Sequence, residues 1–149
     1  MRIVFLLHQF LPRHFSGTEQ LTLKLAHALR SRGHHPVIVA AEPLTARDGP
    51  TRVETDEVEG LRVHRIHGAR LGPDWFDQDI MSPAVEGAIG RILDEEKPDI
   101  VHVHHFAILG AGFLREAASR GLPVVFTATD FWWICPMSRQ ELPDGSICS

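Results

Sequence analysis

Short β-prone runs alternate along this chain with segments in which apolar residues recur at helical spacing. Runs at 3–7 and 36–40 predict buried strands, and runs at 99–104 and 123–127 predict two further strands. Alternation of apolar and polar residues at 61–66 predicts a more exposed strand. Helical spacing predicts helices over about 18–32, from Ser82-Pro83 to Lys97, and around Phe113 to Ala118. Residues 42–60 are rich in Pro, Gly, Thr and charge and predict a long loop, and residues 67–81 predict an irregular segment.

This alternation predicts an α/β fold: a Rossmann-like, doubly wound and mostly parallel sheet with helices on both faces. The usual strand order for such a half is 3-2-1-4-5, in which the first and fourth strands are neighbours and the chain reverses between them. Ligands bind at the carboxyl ends of the strands at that point. The candidate site therefore comprises the loops at 8–19, 104–110 and 128–136.

The composition of the chain argues against several classes of function. The chain has 149 residues with 44% hydrophobic and 23% charged residues, which predicts one soluble domain spanning 1–149. A net charge of -4 without a long basic run argues against a nucleic-acid partner, and the apolar runs are too short to cross a bilayer. Cys135 and Cys148 make no disulfide framework, so we expect two thiols in a reducing cytoplasm. We expect neither a metal nor a cofactor.

The first loop contains Ser16-Gly17-Thr18-Glu19, for which two interpretations are compatible. Ser16 and Glu19 have the S-x-x-E spacing of a capping box, which requires no ligand. The same geometry leads from a buried strand to a helix N-terminus, where free amides and the helix dipole attract an anion. Gly17 lacks a side chain, so a phosphate could approach the backbone closely.

Stronger nucleotide-binding fingerprints are absent from the sequence. No G-x-G-x-x-G follows the first strand, which argues against a dinucleotide-dependent oxidoreductase, and there is no G-x-x-x-x-G-K-[ST]. No acidic pair follows the first strand either, which argues against a phospho-accepting receiver domain. Because one fold hosts many functions, these absences reduce the number of functions that a Rossmann-like domain of this sequence could have.

Polar and aromatic residues follow the fourth and fifth predicted strands. A zinc site at His102 and His104 is an alternative, but no third ligand is placed by spacing, and hydrogen bonding in the core suits His102 better. His104 or His105 could reach a sugar hydroxyl or phosphate, and Asp130 could cap a turn or bind a hydroxyl. One of Trp132 and Trp133 is expected in the core. The other could stack on a sugar ring, and we select Trp132 for this role.

Four segments follow one another along the chain: "MRIVFLLHQFLPRHFSGTEQLTLKLAHALRSRGHHPVIVAA", "KPDIVHVHH", "GLPVVFTATDFWWICP" and "LPDGSIC". Taken in this order, they resemble the N-terminal domain of a GT-B glycosyltransferase of the retaining family 4 type. The resemblance covers essentially the whole chain.

The resemblance implies an enzyme of two Rossmann-like domains that face each other across a cleft. The N-terminal domain mainly binds the acceptor, and the C-terminal domain mainly binds a nucleotide-sugar donor. Carried over to this chain, the first loop would lie near the donor diphosphate, with Ser16, Gly17, Thr18 and Glu19 as the candidate residues. The candidates for binding the sugar or acceptor are His104, His105, Thr129, Asp130 and Trp132.

The sequence departs from the family pattern at two positions. Ser16 stands where the family often has Gly. Thr129 stands where the family usually has a His that contacts the donor sugar or phosphate, and Thr cannot carry a positive charge. The C-terminal donor domain, with its pair of Glu residues, is expected to be absent from this chain, whose last residues read as a turn. We therefore expect a truncated N-terminal domain that is inactive alone. Relatives with this segment often carry further cysteines just downstream of it. The alternative interpretation of Cys135 and Cys148 is therefore that they form part of a metal or cluster site whose other ligands lie outside this sequence.

The leading hypothesis is the acceptor-binding half of a glycosyltransferase, with a sugar or glycolipid as acceptor. A lipid-linked acceptor would bring peripheral contact with a membrane, although the basic residues are too scattered to indicate such a face. The alternative is a non-enzymatic Rossmann-like module that binds an anionic ligand or a partner protein.

Overall fold

A six-stranded, mostly parallel sheet organises the chain. The computed structural model describes residues 1–43, 50–69, 82–135, 140–142 and 144–147. Cys148 and most of the predicted irregular segment at 67–81 lie outside these residues. In chain order the elements are β1 (Arg2–Leu7), α1 (Gly17–Arg30), β2 (His35–Pro43), β3 (Arg52–Val58), β4 (Leu61–Ala69), α2 (Pro83–Glu96), β5 (Ile100–Val103), α3 (Phe113–Ser119) and β6 (Val124–Phe126).

The predicted fold class is confirmed. The sheet order is β3-β4-β2-β1-β5-β6, and the five predicted strands are β1, β2, β4, β5 and β6. They are parallel to one another and lie in the predicted order 3-2-1-4-5. Of the helices that the structure describes, none is long and apolar enough to cross a membrane.

The prediction of one long loop over 42–60 is wrong, because β2 extends to Pro43 and β3 pairs antiparallel with β4 at the edge of the sheet. Glu59 and Gly60 connect the two strands, with φ of 50° and 76°. Two consecutive residues with positive φ form the kind of hairpin turn whose twist matches its strands. Most side chains of β3 are polar and exposed, so its sequence lacks the apolar alternation that would have predicted it.

Apolar side chains cover both faces of the central strands. Val4 and Leu6 of β1 pack in one cluster with buried residues of α2 and α3, such as Ile89. Phe5 and Leu7 point to the opposite face and pack in a second cluster with Ala26 of α1. The sheet is therefore doubly wound, as the continuous apolar runs predicted.

Buried Arg65 ties the first loop to three strands. Its guanidinium donates to Glu42 Oε1 of β2 at 2.8 Å, to Asp56 Oδ2 of β3 at 2.9 Å and to the Leu11 carbonyl at 2.5 Å. Arg13, in the same loop, donates to Glu42 Oε2 at 3.1 Å. Since a buried charge is stable only when it is paired, this network fixes where the first loop leaves the sheet.

Replacing Arg65 by Met should destabilise the protein far more than the same replacement of Arg115. Arg65→Met leaves the buried Glu42 carboxylate with Arg13 alone, and removing one partner of a buried pair costs about 3 kcal/mol. Arg115 forms an exposed pair with Glu86, so Arg115→Met should destabilise the protein much less. Urea unfolding of both variants measures the difference, and equal losses would contradict the anchoring role of Arg65.

Candidate functional site at the carboxyl edge of the sheet

Helix α1 begins with the predicted capping box. Ser16 is the N-cap and Glu19 the third helical residue, and the Ser16 N–H donates to Glu19 Oε2 at 2.9 Å. The Ser16 hydroxyl also donates to this carboxylate. Burial raises the pKa of Glu19, but the hydrogen bonds from the Ser16 side chain and from the backbone lower it more, so the net shift is downward. Glu19 is therefore a buried, ionised cap.

The cap leaves part of the helix N-terminus open. The first hydrogen bond of the helix runs from Gln20 N–H to the Ser16 carbonyl at 3.1 Å, so the N–H groups of Gly17 and Thr18 have no acceptor within the helix. A Cβ placed on Gly17 would meet no atom within 4 Å. The space on the Cβ side of Gly17 is therefore open, and amides without an acceptor within the helix suit the approach of an anionic group.

A closed ring of hydrogen bonds joins α1 to the ends of β5 and β6. The Thr18 hydroxyl donates to Thr129 Oγ1 at 3.0 Å, and the Thr129 hydroxyl donates to the His104 carbonyl at 3.1 Å. Thr22 donates its hydroxyl proton to the Thr18 carbonyl at 2.8 Å and lies 2.7 Å from His104 Nδ1. Thr129 is thus engaged on both sides within the protein.

The ring determines the tautomer of His104. Because the single Thr22 proton goes to Thr18, Nδ1 of His104 must carry the proton that it shares with Thr22. Nε2 is then an acceptor, and it is buried without a partner among the described residues. Burial, followed by the neighbouring His102, lowers the pKa of His104 to about 4. His104 is accordingly neutral at pH 7.

His105 and Asp130 form a pair across the crevice. His105 Nδ1 accepts from the Ala107 N–H at 3.2 Å, so Nε2 carries the proton and donates to Asp130 Oδ2 at 2.9 Å. Asp130 Oδ1 accepts from the Trp132 N–H at 2.9 Å. The Asp130 side chain remains 40% exposed, which leaves lone pairs on its carboxylate accessible to a hydroxyl group.

His8 belongs to the same cluster, although it was not among the predicted site residues. Its ring lies 4.2 Å from that of His105, and its Nε2 is 3.6 Å from Glu19 Oε1. Burial, followed by the charge of His105, lowers the pKa of His8 to about 4. The available signal was its position as the first polar residue after β1, which places it at the carboxyl edge.

Aromatic rings form one wall of a shallow hollow at this edge, lined by His104, His105, Phe106, Phe126, Asp130, Trp132 and Trp133. Trp132 is half-buried, with its ring 4.9 Å from Phe106 and 5.5 Å from His105. Trp133 is 52% exposed and packs on Phe126. Of the two indoles, Trp132 is the one beside the His105–Asp130 pair.

Metal ligation by the strand histidines has no support in the described geometry. His102 bonds the Thr127 hydroxyl at 2.8 Å, and the His102 and His104 rings pack edge to face. Within the described residues, the group with ligand-like spacing is His64, Glu95 and Glu96, away from the crevice loops. There Glu96 accepts hydrogen bonds from the His64 ring and from Arg62, so its carboxylate is already committed.

Comparisons with known proteins agree with this architecture. The model of Glycosyltransferase Family 4 matches residues 15–142. GDP-mannose-dependent alpha-mannosyltransferases of Mycobacterium tuberculosis and Mycolicibacterium smegmatis are 29% and 30% identical over 125 residues. Each alignment covers 84% of this chain and 31% of the relative, so the chain spans about a third of the length of these proteins.

A solved structure shows the same fold. The catalytic domain of starch synthase IV from Arabidopsis thaliana, bound to ADP and acarbose, matches with a TM-score of 0.60 at 20% identity. The match covers 87% of this chain and 34% of that domain. The family matches and this structure together confirm the resemblance to a GT-B, family 4 domain that the sequence indicated.

Acid should destabilise the protein through the buried neutral histidines His104 and His8 before it affects the buried carboxylates. The pKa of His104 is about 4 in the folded state and about 6.5 unfolded, so the unfolded state binds more protons below pH 6.5. Stability is therefore fully present above pH 6.5 and declines toward pH 4, with about 2 kcal/mol from this residue lost by pH 5. The stability that depends on ionised Glu19 and Glu96 is lost at a lower pH than this, because their pKa values are lowered from 4.5.

His104→Gln isolates this effect, because Gln can still donate to Thr22 but does not titrate. Urea unfolding at pH 7 and pH 5 should show a loss of stability smaller by about 2 kcal/mol in His104→Gln than in the wild type. An unchanged loss would show that His104 is not the buried neutral group described above.

Proposed function

Because the chain belongs to Glycosyltransferase Family 4, we propose that it is the acceptor-side half of a retaining enzyme that transfers a sugar from a nucleotide-sugar donor to an acceptor hydroxyl. One observation carries the proposal: the open N-terminus of α1 and the His105–Asp130 pair lie at the same edge of the sheet. The curated relatives are named for GDP-mannose, which is therefore the first donor to test.

We assign the donor diphosphate to the first turn of α1. The amides of Gly17 and Thr18 would donate to it, and the exposed Ser16 lies beside them. Glu19 acts by fixing the cap, since a buried carboxylate would repel a phosphate in direct contact. Its negative charge offsets part of the helix dipole, so this turn supplies directional hydrogen bonds rather than net positive charge.

We assign the sugar or acceptor to the hollow beside β5 and β6. Asp130 would accept a hydrogen bond from a hydroxyl, His105 would hold that carboxylate in place, and the Trp132 ring would face the apolar side of a sugar. Thr129 and His104 hold the loops together, because their hydrogen bonds are made within the protein. The acceptor would be a sugar or glycolipid, met in the cytoplasm or at the membrane surface.

The chain alone should not turn over a nucleotide sugar, because the proposed donor half is missing. A protein that joins these 149 residues to a second α/β domain should release GDP from GDP-mannose when an acceptor is present. Coupled detection of GDP release measures both proteins. Turnover by the 149-residue chain would refute the division into halves. Anion binding without turnover in the extended protein, tested with a panel of nucleotide sugars, would favour the non-enzymatic binding module.

Gly17→Val should separate the phosphate role from the fold. Because the space around the Gly17 Cα is open, stability should change by no more than about 0.5 kcal/mol. In the extended enzyme the new side chain would shield the open amides, and loss of charge-assisted hydrogen bonds should weaken donor binding about 10- to 100-fold.

Gly87→Val is the matched control, since Gly87 lies in α2 and a Cβ there meets only the Arg91 guanidinium, at 3.7 Å. Isothermal titration with the nucleotide diphosphate compares the two variants with the wild type. If Gly17→Val binds as tightly as Gly87→Val, the first turn of α1 is a cap and not a phosphate site.

A further inference from the structure

The electrostatic character of the hollow beside β5 and β6 is negative. Its described lining contains one carboxylate, Asp130, and neither Lys nor Arg. A second carboxylate, the buried Glu19, lies 3.6 Å from Nε2 of His8, while Arg13 of the first loop is paired with Glu42. A ligand that enters the hollow therefore meets two carboxylates without a basic side chain among the residues that the structure places around it.

The ionisable side chains of the hollow offer hydrogen-bond acceptors rather than donors. Asp130 accepts one hydrogen bond at each oxygen, from His105 Nε2 and from the Trp132 N–H, and its exposed side chain retains further lone pairs. Nε2 of His104 is an acceptor that is buried without a partner among the described residues. Both ring nitrogens of His105 are already bonded. A ligand that brings several donors matches these groups better than one that brings acceptors.

Aromatic rings stand beside the carboxylate. The Trp132 ring lies 5.5 Å from the ring of His105 and 4.9 Å from that of Phe106. Phe126 and Trp133, which also line the hollow, are 42% and 52% exposed. The face of an aromatic ring attracts a cation, and the indole of Trp does so most strongly. A carboxylate next to such rings is a combination that suits an ammonium group.

We propose that this hollow binds an ammonium group, so that the preferred acceptor is a sugar or glycolipid that carries a primary amine. The proposal rests on the proposed function for the role of the hollow as an acceptor site. The amine would donate to the open lone pairs of Asp130 and lie against the Trp132 ring. An acceptor with a phosphate or carboxylate would bind poorly, because its charge would face Asp130 without a compensating cation in the described lining.

An uncharged hydroxyl is the competing occupant, since it could also donate to Asp130. A hydroxyl has one proton to donate, whereas an ammonium group has three and its hydrogen bonds to a carboxylate are charge-assisted. The two occupants therefore differ in a measurable preference between an amino sugar and its N-acetylated form.

Binding of simple sugars tests the proposal without any assay of sugar transfer. Glucosamine, N-acetylglucosamine and glucose 6-phosphate are titrated into the 149-residue chain while NMR follows the amide signals of His105 and Trp132. At pH 6 the primary amine is charged, and His104, with a pKa of about 4, stays neutral. Glucosamine should bind at least about 10-fold more tightly than N-acetylglucosamine, and glucose 6-phosphate more weakly than either. Equal affinities, or unchanged signals with glucosamine, would overturn the proposal.

Asp130→Asn and Glu57→Gln form a matched pair, because each replaces a carboxylate by an amide of the same shape. Glu57 is exposed on β3, which lies at the opposite edge of the sheet from β6. Asp130→Asn should abolish the preference for glucosamine over N-acetylglucosamine, and Glu57→Gln should retain it. The same loss in both variants would attribute the preference to net charge and overturn the proposal.

Trp132→Leu is the second test, because it leaves both partners of the His105–Asp130 pair in place. Removal of the ring should weaken the binding of glucosamine at least about 3-fold more than that of N-acetylglucosamine. An equal effect on the two sugars would show that the ammonium group does not lie against this ring, and the assigned position would be wrong.

The proposal and the proposed function fail separately. If the extended enzyme releases GDP from GDP-mannose but prefers uncharged or phosphorylated acceptors to those with an amine, the ammonium site alone is refuted. If the hollow prefers glucosamine but no nucleotide sugar is turned over, the proposed function is refuted and the hollow remains an amine-binding site.

Discussion

The ring of hydrogen bonds through Thr18, Thr129, His104 and Thr22 is the constraint on which the candidate site depends. It joins residues that are 82 and 111 positions apart in the chain. Without it, the start of α1 and the segments after β5 and β6 would be connected to one another mainly through the sheet below them. With it, the capped helix and the Asp130 carboxylate are held as parts of one surface.

A second constraint acts on the other side of the first loop. Arg65 binds the Leu11 carbonyl from within the sheet, while Ser16 and Glu19 fix the far end of the loop at the helix. The loop is therefore held at both ends. Fixed amide donors are useful in catalysis because they need no reorganisation when charge develops on a leaving group.

Local rules and distant contacts contributed differently to what the sequence could predict. The five parallel strands and the Ser16–Glu19 cap depend on periodicity and on residues three positions apart, so both could be predicted. Strand β3 could not, because its pairing relies on Glu59 adopting positive φ and on Arg65 reaching Asp56. The hydrogen bonds from His105 to Asp130 and from Thr129 to His104 each join residues 25 positions apart, so no local sequence pattern predicts them.

The charges at the edge of the sheet indicate what the proposed donor half must supply. A departing diphosphate requires positive charge, but His8 and His104 have pKa values of about 4 and are neutral at pH 7. Both nitrogens of His105 are engaged, and Arg13 is paired with Glu42. Thr129 cannot replace a cationic histidine. In the described part of the chain this edge therefore offers hydrogen bonds, the exposed Asp130 carboxylate and the buried Glu19 carboxylate. Under the proposed function we expect the neutralising cation to come from the donor side of the cleft.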